Sequence, residues 1–437
     1  MPGAGRLPGV TELWSARRNA ELVLLLASAA FVLLAWRALE VAAFSLPAGS
    51  GRIIGQFLVV AALGHVALRI VAPWASPVVY ATAMLLTAVG MVFAIRLAPN
   101  VAQNQANWAT LGVAFMAVSA SLGRRYSVLR RYRYTSAAAA VLLLVATGIF
   151  GTTFNGARLW ISAGGQEVQT TEVIKLFFVV FLAGYLADEA SVLALPRLRF
   201  AGRTYSALPY LVPLLVTMVA AMGALALLRD LGSIALLVLL AASALYVATG
   251  RLVFVAGGVG LLLVTGALGY VAFDHAQERI DVWLNPYEDA QGAGYQTVQS
   301  LYAIEAGGVT GEGLGLGQPQ VIPAVSTDYV FSAIAEELGL AGALGVVLLY
   351  AVLFFGGMRV ALDCPDSYGR LLAGSISLLL LIQAAVIIAG NLRIIPTTGI
   401  TLPFVSYGGS SLVVNFVLLG LLLGISHDSA TREAERA

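Results

Sequence analysis

The sequence predicts an all-α polytopic membrane protein with about twelve transmembrane helices. Of its 437 residues, 59% are hydrophobic and only 11% are charged, whereas soluble domains carry roughly 25% charged residues. The mean hydropathy is +0.88. The apolar residues form long runs, and a helix needs roughly 20 of them to cross the hydrocarbon core of a bilayer. The chain is therefore expected to cross a membrane many times.

Twelve apolar runs are long enough to be transmembrane helices. Their predicted bounds are 21–40, 54–72, 77–97, 107–122, 135–154, 171–187, 206–228, 231–249, 252–273, 329–356, 370–390 and 406–426. The first run is longer than the apolar part of a signal peptide, and no small-residue cleavage site follows it. It is therefore predicted to be a transmembrane helix.

The arginines predict the orientation of these helices. With the N-terminus inside, most of the Lys and Arg residues fall on cytoplasmic segments, as the positive-inside rule requires. An even number of helices then returns the C-terminus to the cytoplasm. Three segments that are more than simple turns, 155–170, 274–328 and 391–405, would lie outside. An enzyme built from them would work without ATP, so its substrate would have to bring its own free energy.

Several function classes are disfavoured by composition. Cys364 is the only cysteine, which excludes an intramolecular disulfide and a multi-cysteine metal site. The three histidines show no metal-ligand spacing, and no P-loop or dinucleotide-binding fingerprint is present. No nucleic-acid partner is expected.

Residues 396–411 carry the most informative pattern of the chain. Their sequence, PTTGITLPFVSYGGSS, places two prolines and three glycines between two long apolar runs. Non-helical backbone at membrane depth is tolerated only where it is buried in protein or lines a wet cavity. We expect this segment to line a cavity, and the alternative is an ordinary loop between helices.

The segment 274–328 is predicted to be a long structured outer loop. Loops longer than about 12–15 residues are usually functional or disordered, and the aromatic residues Trp283, Tyr287 and Tyr295 argue against disorder. Glycines cluster between Gly307 and Gly317, where they would permit tight turns and a close approach of the backbone to a ligand.

Charged side chains at or inside predicted helices are candidate functional residues, because burying a charge in a membrane is costly. Asp328 directly precedes a spanning run, where its alternative role is to cap the helix. Glu336 and Glu337 follow within the first turns. Asp230 lies in a tight turn and is expected to cap the next helix.

Glu172 and Lys175 are spaced so that both can lie on one face of a helix. Lys175 is the only lysine of the chain. Its compact ammonium group would suit a phosphate, and the alternative is a structural ion pair within the membrane.

Several motifs, in one order over about residues 77–426, resemble the SEDS proteins (shape, elongation, division and sporulation), the RodA/FtsW/SpoVE-like group. The segment 396–411 resembles their signature P-x-T-G-[IVL]-x-L-P-[FL]-[IVL]-S-Y-G-G-S-S. The shorter matching motifs are GARLWI at 156–161, QTTEVIK at 169–175, DLGS at 230–233, TDYVF at 327–331 and EELG at 336–339.

The chain also departs from the SEDS pattern. QTTE replaces the usual QPSE, Leu159 separates Arg158 from Trp160, and Ile387 stands where an asparagine is common. Members commonly have ten spanning helices, so two of the twelve predicted here are additional to that set. The predicted organisation is a cytoplasmic tail, two additional helices, a SEDS glycosyltransferase core and a second cytoplasmic tail, over 1–20, 21–76, 77–426 and 427–437.

The resemblance implies a peptidoglycan glycosyltransferase of the bacterial cytoplasmic (inner) membrane, active in cell elongation or division. Such an enzyme polymerises lipid II on the outer face and releases undecaprenyl pyrophosphate. The resemblance assigns the catalytic carboxylate to Asp328, which would deprotonate the acceptor hydroxyl. It also implies a class B penicillin-binding protein as partner. A divalent cation, Mg²⁺ or Mn²⁺, could assist at the pyrophosphate.

Two further groups of residues are assigned to the substrate. Lys175, Arg158, Arg279 and Arg393 are expected to steady the pyrophosphate, with Glu172 orienting Lys175. The residues expected to shape the cavity are Gly307, Gly308, Thr327, Glu336, Ser406, Tyr407, Gly408, Gly409 and Ser410. The lipid tail would lie between helices, in contact with the bilayer.

Three alternatives remain open. A lipid II flippase would also need intramembrane charges, although a candidate acid at the outer mouth favours the enzyme. An O-antigen polymerase or ligase would use a similar polyprenyl donor, but the signature at 396–411 argues against it. A non-catalytic scaffold would not need Asp328, Glu172 and Lys175 together.

Overall fold

The computed structural model describes residues 15–42, 46–47, 49–154, 157–163, 166–195, 198–200, 203–205 and 208–436. Twelve helices of this described part are long and apolar enough to cross a membrane, which confirms the predicted fold class. Most of the predicted N-terminal tail lies outside the described residues, as does Gly156 of the GARLWI motif.

The α-helices of the described residues are numbered in chain order. They are α1 (Ala16–Val41), α2 (Ser50–Val71), α3 (Pro77–Leu97), α4 (Pro99–Gly123), α5 (Arg133–Phe150), α6 (Thr170–Leu193), α7 (Val212–Leu227), α8 (Leu231–Thr249), α9 (Leu252–Ala272), α10 (Asp274–Leu284), α11 (Tyr295–Gly307), α12 (Val330–Asp363), α13 (Ser367–Asn391) and α14 (Gly409–Arg436). All except α10 and α11 are candidate membrane spans. Short 3₁₀ helices cover Tyr126–Tyr132, Leu208–Leu211 and Pro319–Val321.

Several predicted helix bounds differ from those in the structure. Helix α4 begins at Pro99 rather than 107, since proline suits the first turn and the following polar residues are helical too. Helix α12 runs to Asp363 rather than 356. Helix α14 begins at Gly409 rather than 406.

A small antiparallel sheet, which the sequence analysis did not predict, follows α5. Its strands are β1 (Thr152–Phe154), β2 (Ala157–Ala163) and β3 (Gln166–Gln169), in the order β1-β2-β3. Trp160 of β2 pairs with Thr152 on one side and with Gln169 on the other. The predicted span 135–154 therefore ends as a helix at Phe150. A second hairpin pairs β4 (Leu198–Phe200) with β5 (Arg203–Tyr205).

The chain divides into two compact units. The first comprises Met1–Tyr126, Gln296–Pro365 and Thr401–Ala437. Within it α4 packs along α14, and α3 packs against α1 and α12. Gly420 of α14 permits the close contact with α4, since a Cβ there would lie 2.4 Å from the Met116 carbonyl oxygen.

The second unit comprises Ser127–Tyr295 and Asp366–Ile400. Helix α6 packs against α5 and α13, and α8 packs against α13 and α9. Asp230 caps α8 as predicted, because its Oδ1 accepts a hydrogen bond from the Ser233 amide at 2.9 Å.

Non-helical backbone links α13 to α14, as the sequence predicted for the signature segment. No regular helix forms between residues 392 and 408. In the first unit, Leu402, Phe404 and Val405 of this segment are buried. Gly90 of α3 leaves room for this backbone, since a Cβ there would lie 2.4 Å from the Val405 carbonyl oxygen. The signature is therefore packed into the protein rather than exposed as a turn.

Candidate functional site

Asp328 lies in a turn directly before α12. Its amide donates a hydrogen bond to the Ala324 carbonyl at 3.0 Å, and Ala324 adopts a left-handed backbone conformation with φ 55°. The residue is half-buried. The N-cap residue of α12 is Tyr329, so Asp328 stands one position before the cap.

The signature holds the backbone immediately before Asp328. Ser406 Oγ donates to the Thr327 carbonyl at 2.5 Å and accepts from the Leu402 amide at 2.9 Å. The Tyr407 amide donates to the Ser326 carbonyl at 2.8 Å. The predicted residues Thr327, Ser406 and Tyr407 are therefore brought together at the backbone immediately before Asp328.

Gln105 of α4 supports this contact, although the sequence analysis did not select it. Its amide nitrogen donates to the Ser406 carbonyl at 3.3 Å, and its oxygen accepts from the Gly408 amide at 3.4 Å. The side chain is buried. A polar residue facing inward from a spanning helix was the signal that could have identified it.

Gly409 and Ser410 lie in the first turn of α14. A Cβ at Gly409 would lie 2.4 Å from the indole of Trp108, so the ring packs directly on this backbone. The hydroxyl of the neighbouring Ser411 accepts from Thr401 Oγ1 at 2.7 Å and from Asn415 Nδ2 at 3.3 Å. These bonds fix the end of the signature within the first unit.

The glycine-rich segment after α11 packs against an interruption in α12. Gly339 has φ 66° and ψ −167°, which breaks the helix after its first two turns. Gly307 faces the first part of α12 so closely that a Cβ would lie 1.9 Å from the Ala335 carbonyl oxygen. Gly308 adopts φ 48°, and its carbonyl accepts from the Leu340 amide at 2.9 Å.

Two carboxylates from α12 bind this segment. Glu336 Oε1 accepts from the Gln318 amide at 2.6 Å. Glu337 Oε2 accepts from the Gly315 amide at 3.1 Å, while its Oε1 pairs with Arg96 Nε at 2.9 Å. Arg96 was missed by the sequence analysis, although a charge near the end of the apolar run 77–97 was a visible signal.

Glu172 and Lys175 form the predicted ion pair in α6. Lys175 Nζ lies 2.5 Å from Glu172 Oε2 and donates to Gln383 Oε1 of α13 at 2.8 Å. Both charged side chains are about 4% exposed. The pair neutralises charge that would be costly to bury alone. In this arrangement the ammonium group is occupied by protein, so a phosphate would have to compete with Glu172 or Gln383.

Arg158 lies on β2 with its side chain exposed. Its Nη1 donates to the Gly148 carbonyl of α5 at 2.9 Å. The side chain thereby ties the sheet to the end of a helix, where positive charge is favourable.

Arg279 and Arg393 both bind backbone carbonyls within the second unit. Arg279 Nη1 donates to the Thr398 carbonyl at 3.2 Å. Arg393, which has φ 55°, donates through Nε to the Trp283 carbonyl at 2.9 Å, and the Trp283 indole donates to the Arg393 carbonyl at 3.2 Å. These bonds fasten α10 to the segment that begins the signature.

Asp230 lies near the same region. Burial raises the pKa of its carboxyl, while the hydrogen bonds from Ser233 and the charge of Arg279 act in the opposite direction. Gly232 follows it, and a Cβ there would lie 2.4 Å from the Thr398 carbonyl oxygen. The DLGS motif therefore serves as a cap and as a surface for the signature backbone.

The predicted residues are thus distributed over both units. Asp328, Glu336 and the signature from Thr401 onward belong to the first unit, and Glu172 and Lys175 belong to the second. Among the described residues, no group of three or more His, Cys, Asp or Glu side chains is arranged to hold a metal ion.

Known proteins resemble this chain over most of its length. A family model described as "Cell cycle protein", for FtsW, RodA and SpoVE, matches residues 67–431. Peptidoglycan glycosyltransferase RodA of Mycobacterium tuberculosis is 34% identical over 436 residues, covering 96% of this chain and 92% of that protein. Stage V sporulation protein E of Bacillus subtilis is 36% identical over 292 residues, covering 66% of this chain and 76% of that protein.

The high coverage by the mycobacterial protein bears on the two N-terminal helices. The match covers 96% of this chain, so the unmatched residues are too few to include both α1 and α2. Most of this helix pair therefore aligns with that relative, although the family model begins only at residue 67.

Solved structures give the same result. A chain from work on the structural coordination of polymerization and crosslinking by a peptidoglycan synthase complex has a TM-score of 0.61 at 26% identity, covering 88% of this chain and 99% of that chain. The rod shape determining protein RodA of Thermus thermophilus has a TM-score of 0.58 at 26% identity, and the match covers 79% of this chain and 95% of that chain. Fold, motifs and sequence identity agree: the chain belongs to the FtsW/RodA/SpoVE family, the SEDS proteins.

Proposed function

We propose that this chain is a peptidoglycan glycosyltransferase that polymerises lipid II on the outer face of the bacterial cytoplasmic membrane. The observation that carries the proposal is its 34% identity to peptidoglycan glycosyltransferase RodA over 96% of the chain. The packing of the signature against the turn that holds Asp328 supports it, because this contact joins the two most distinctive motifs.

Asp328 would act as the general base of the reaction. Its carboxylate takes the proton of the acceptor sugar hydroxyl, and the hydroxyl oxygen forms a bond to the anomeric carbon of the donor sugar. The bond between that carbon and the pyrophosphate oxygen breaks, and undecaprenyl pyrophosphate leaves with the electron pair. A positioned base typically contributes about 10²- to 10⁴-fold to the rate.

The surroundings of Asp328 suit this role. Asp328 directly precedes the N-cap residue of α12, and the N-terminus of a helix favours negative charge. The residue is half-buried. The backbone on its N-terminal side is held by Ser406 and Tyr407, which reduces the cost of orienting the base in the transition state.

The leaving pyrophosphate requires positive charge. Lys175 remains our first candidate, with Arg158, Arg279 and Arg393 as further candidates. A divalent cation, Mg²⁺ or Mn²⁺, also stays a prediction, and substrate phosphates commonly provide ligands for such ions. If Lys175→Ala bound lipid II as tightly as the unaltered chain, its phosphate role would be lost.

A class B penicillin-binding protein is the proposed partner. Support comes from the similar chain in a complex that coordinates polymerization with crosslinking, since crosslinking requires a transpeptidase. An outward-facing site is proposed from the arginine distribution of the sequence.

Lipid II polymerisation by the full-length chain, purified together with its penicillin-binding protein, tests the proposal. Glycan strands separated on a gel are expected for the unaltered chain, and Asp328→Ala should lower the rate at least about 100-fold. Asp363→Ala is the matched control, because Asp363 is a mostly exposed acid at the other end of α12. Full-length glycan formed by Asp328→Ala at the normal rate would remove Asp328 from the mechanism.

A lipid II flippase is the second candidate function. The closed Glu172–Lys175–Gln383 cluster within spanning helices favours it, because intramembrane charges often line transport paths. Liposomes that contain the chain and labelled lipid II separate the two activities. Movement of lipid II between leaflets without glycan formation would favour the flippase.

A further inference from the structure

The break in α12 creates backbone groups that need hydrogen-bond partners. In an unbroken helix, the carbonyls of residues 336 and 337 would accept from amides one turn later. Gly339 adopts a non-helical conformation and ends that pattern. Unpaired backbone groups are costly in the interior of a membrane protein.

The glycine-rich segment supplies these partners. The amides of Glu312 and Gly313 donate to the carbonyls of Glu336 and Glu337 at 2.9 and 3.0 Å. On the other side of the break, the amide of Leu340 donates to the Gly308 carbonyl at 2.9 Å. Residues 308–313 thus replace the missing helical hydrogen bonds. This segment is therefore bound to the break in α12 rather than free.

Side chains fix the remainder of this segment. Arg96 Nη2 donates to the Gly317 carbonyl at 2.8 Å and to Gln320 Oε1 at 3.4 Å, while its Nε pairs with Glu337. The other oxygen of Glu337 accepts from the Gly315 amide. Arg96 and Glu337 together bind both sides of the turn at 315–317.

The pair is deeply buried. The Glu337 side chain is 0% exposed and that of Arg96 is 6% exposed. Replacing a buried ion pair by apolar residues of similar volume often leaves a protein equally stable. What such residues cannot provide is direction, since the planar guanidinium group can bind a carboxylate and a carbonyl at once in fixed directions.

We propose that Arg96 and Glu337 are positioning residues, which hold the half-helix 330–338 and thereby set the place of Asp328 at its start. This inference rests on the proposed function. The half-helix is then held at both ends. Ser406 and Tyr407 bind the turn before it, and Arg96, through Glu337 and the glycine-rich segment, fixes the end near the break. The half-helix is short, so a displacement at that end is transmitted to Asp328.

Single and double substitutions of Arg96 and Glu337 show whether the pair positions the half-helix or only stabilises the fold. Arg96→Met and Glu337→Leu each leave one buried charge without its partner, so both are expected to lower the thermal stability of the full chain. The double substitution removes both charges and is expected to recover most of the loss. If the pair served only stability, polymerisation by the double variant would recover as well.

The positioning role predicts a different result for the double variant. Its thermal stability returns, but its kcat for lipid II polymerisation stays about 10- to 100-fold below that of the unaltered chain, because the half-helix is no longer fixed. KM for lipid II should change less than about threefold, as expected when an interaction acts on the transition state. Arg96→Lys keeps the positive charge but lacks the planar guanidinium group, so its kcat should lie between that of the double variant and that of the unaltered chain.

Hydrogen exchange gives a readout that does not depend on activity. The amides of residues 311–318 should exchange faster in Arg96→Met, in Glu337→Leu and in the double variant than in the unaltered chain. Arg359→Met is the matched control, because Arg359 forms an exposed pair with Asp363 on the same helix. It should change neither exchange nor kcat.

Two results would overturn the inference. One is a double variant that polymerises lipid II at the normal rate, and the other is unchanged exchange at 311–318 in the single variants. Asp328→Asn, measured in parallel, keeps the two proposals separate. It should exchange normally at 311–318 and be inactive. If it is active, the assignment of the base fails while the exchange result still decides the role of Arg96 and Glu337.

Discussion

At the scale of single residues, Asp328 depends on neighbours that are far away in sequence. Ser406 reaches the Thr327 carbonyl across 79 positions, and its hydroxyl also accepts from the Leu402 amide. One small side chain therefore connects the turn of the signature with the turn of the candidate base. The serine hydroxyl can make both bonds because it is a donor and an acceptor at once.

Ser406→Ala is expected to lower kcat for lipid II polymerisation about 10-fold with little change in KM, because it loosens the turn that carries Asp328. Steady-state rates at several lipid II concentrations measure this split. Ser377→Ala is the control, since the buried Ser377 hydroxyl bonds to Ala373 within its own helix. A Ser406→Ala variant with an unchanged kcat would show that the contact does not position the base.

Local residue contacts could be predicted from the sequence, and distant ones could not. Helical spacing was enough to pair Glu172 with Lys175, and the tight turn was enough to make Asp230 a cap. Arg96 and Glu337 are 241 positions apart. Their charges were visible within apolar runs of the sequence, but only the packing of α3 against α12 pairs them.

At the scale of secondary-structure elements, hydropathy predicted all twelve spanning helices because each must be apolar over a similar length. It did not predict the three-stranded sheet after α5, whose strands are short and partly polar. It also missed the break at Gly339, because the hydrogen bonds that permit the break come from a distant segment of the chain.

Glycine at 232 is predicted to be required for the packing of α8. Gly232→Ala should destabilise the chain by about 1–3 kcal/mol, because the added methyl group meets the Thr398 carbonyl oxygen. Thermal unfolding in detergent measures the change.

Gly257→Ala on α9 is the matched control for that substitution. A Cβ at Gly257 meets no atom within 4 Å, and alanine favours the helix by up to about 1 kcal/mol. Its melting temperature should be equal to or above that of the unaltered chain. Equal melting temperatures for the two variants would show that the contact with Thr398 is not needed.

At the scale of the whole molecule, the arginine distribution predicts both termini in the cytoplasm and the segment 274–328 outside. Thiol labelling of cells tests this. Cys364 is the only cysteine and is buried, so Cys364→Ser provides a background without thiols. Gln291→Cys should react with a membrane-impermeant maleimide in intact cells, and Ser127→Cys only after permeabilisation. Both positions are exposed. The reverse pattern would contradict the orientation and an outward-facing site.

The proposed mechanism depends most on the carboxylate of Asp328, which would take the proton of an acceptor sugar. The most direct measurement is an experimental structure of the full chain with lipid II and a non-reactive acceptor bound. We expect an Asp328 carboxyl oxygen about 2.6–3.2 Å from the acceptor hydroxyl, or one water molecule that bridges the two groups. An acceptor hydroxyl bound by a different basic group, with Asp328 turned away from the sugar, would contradict it.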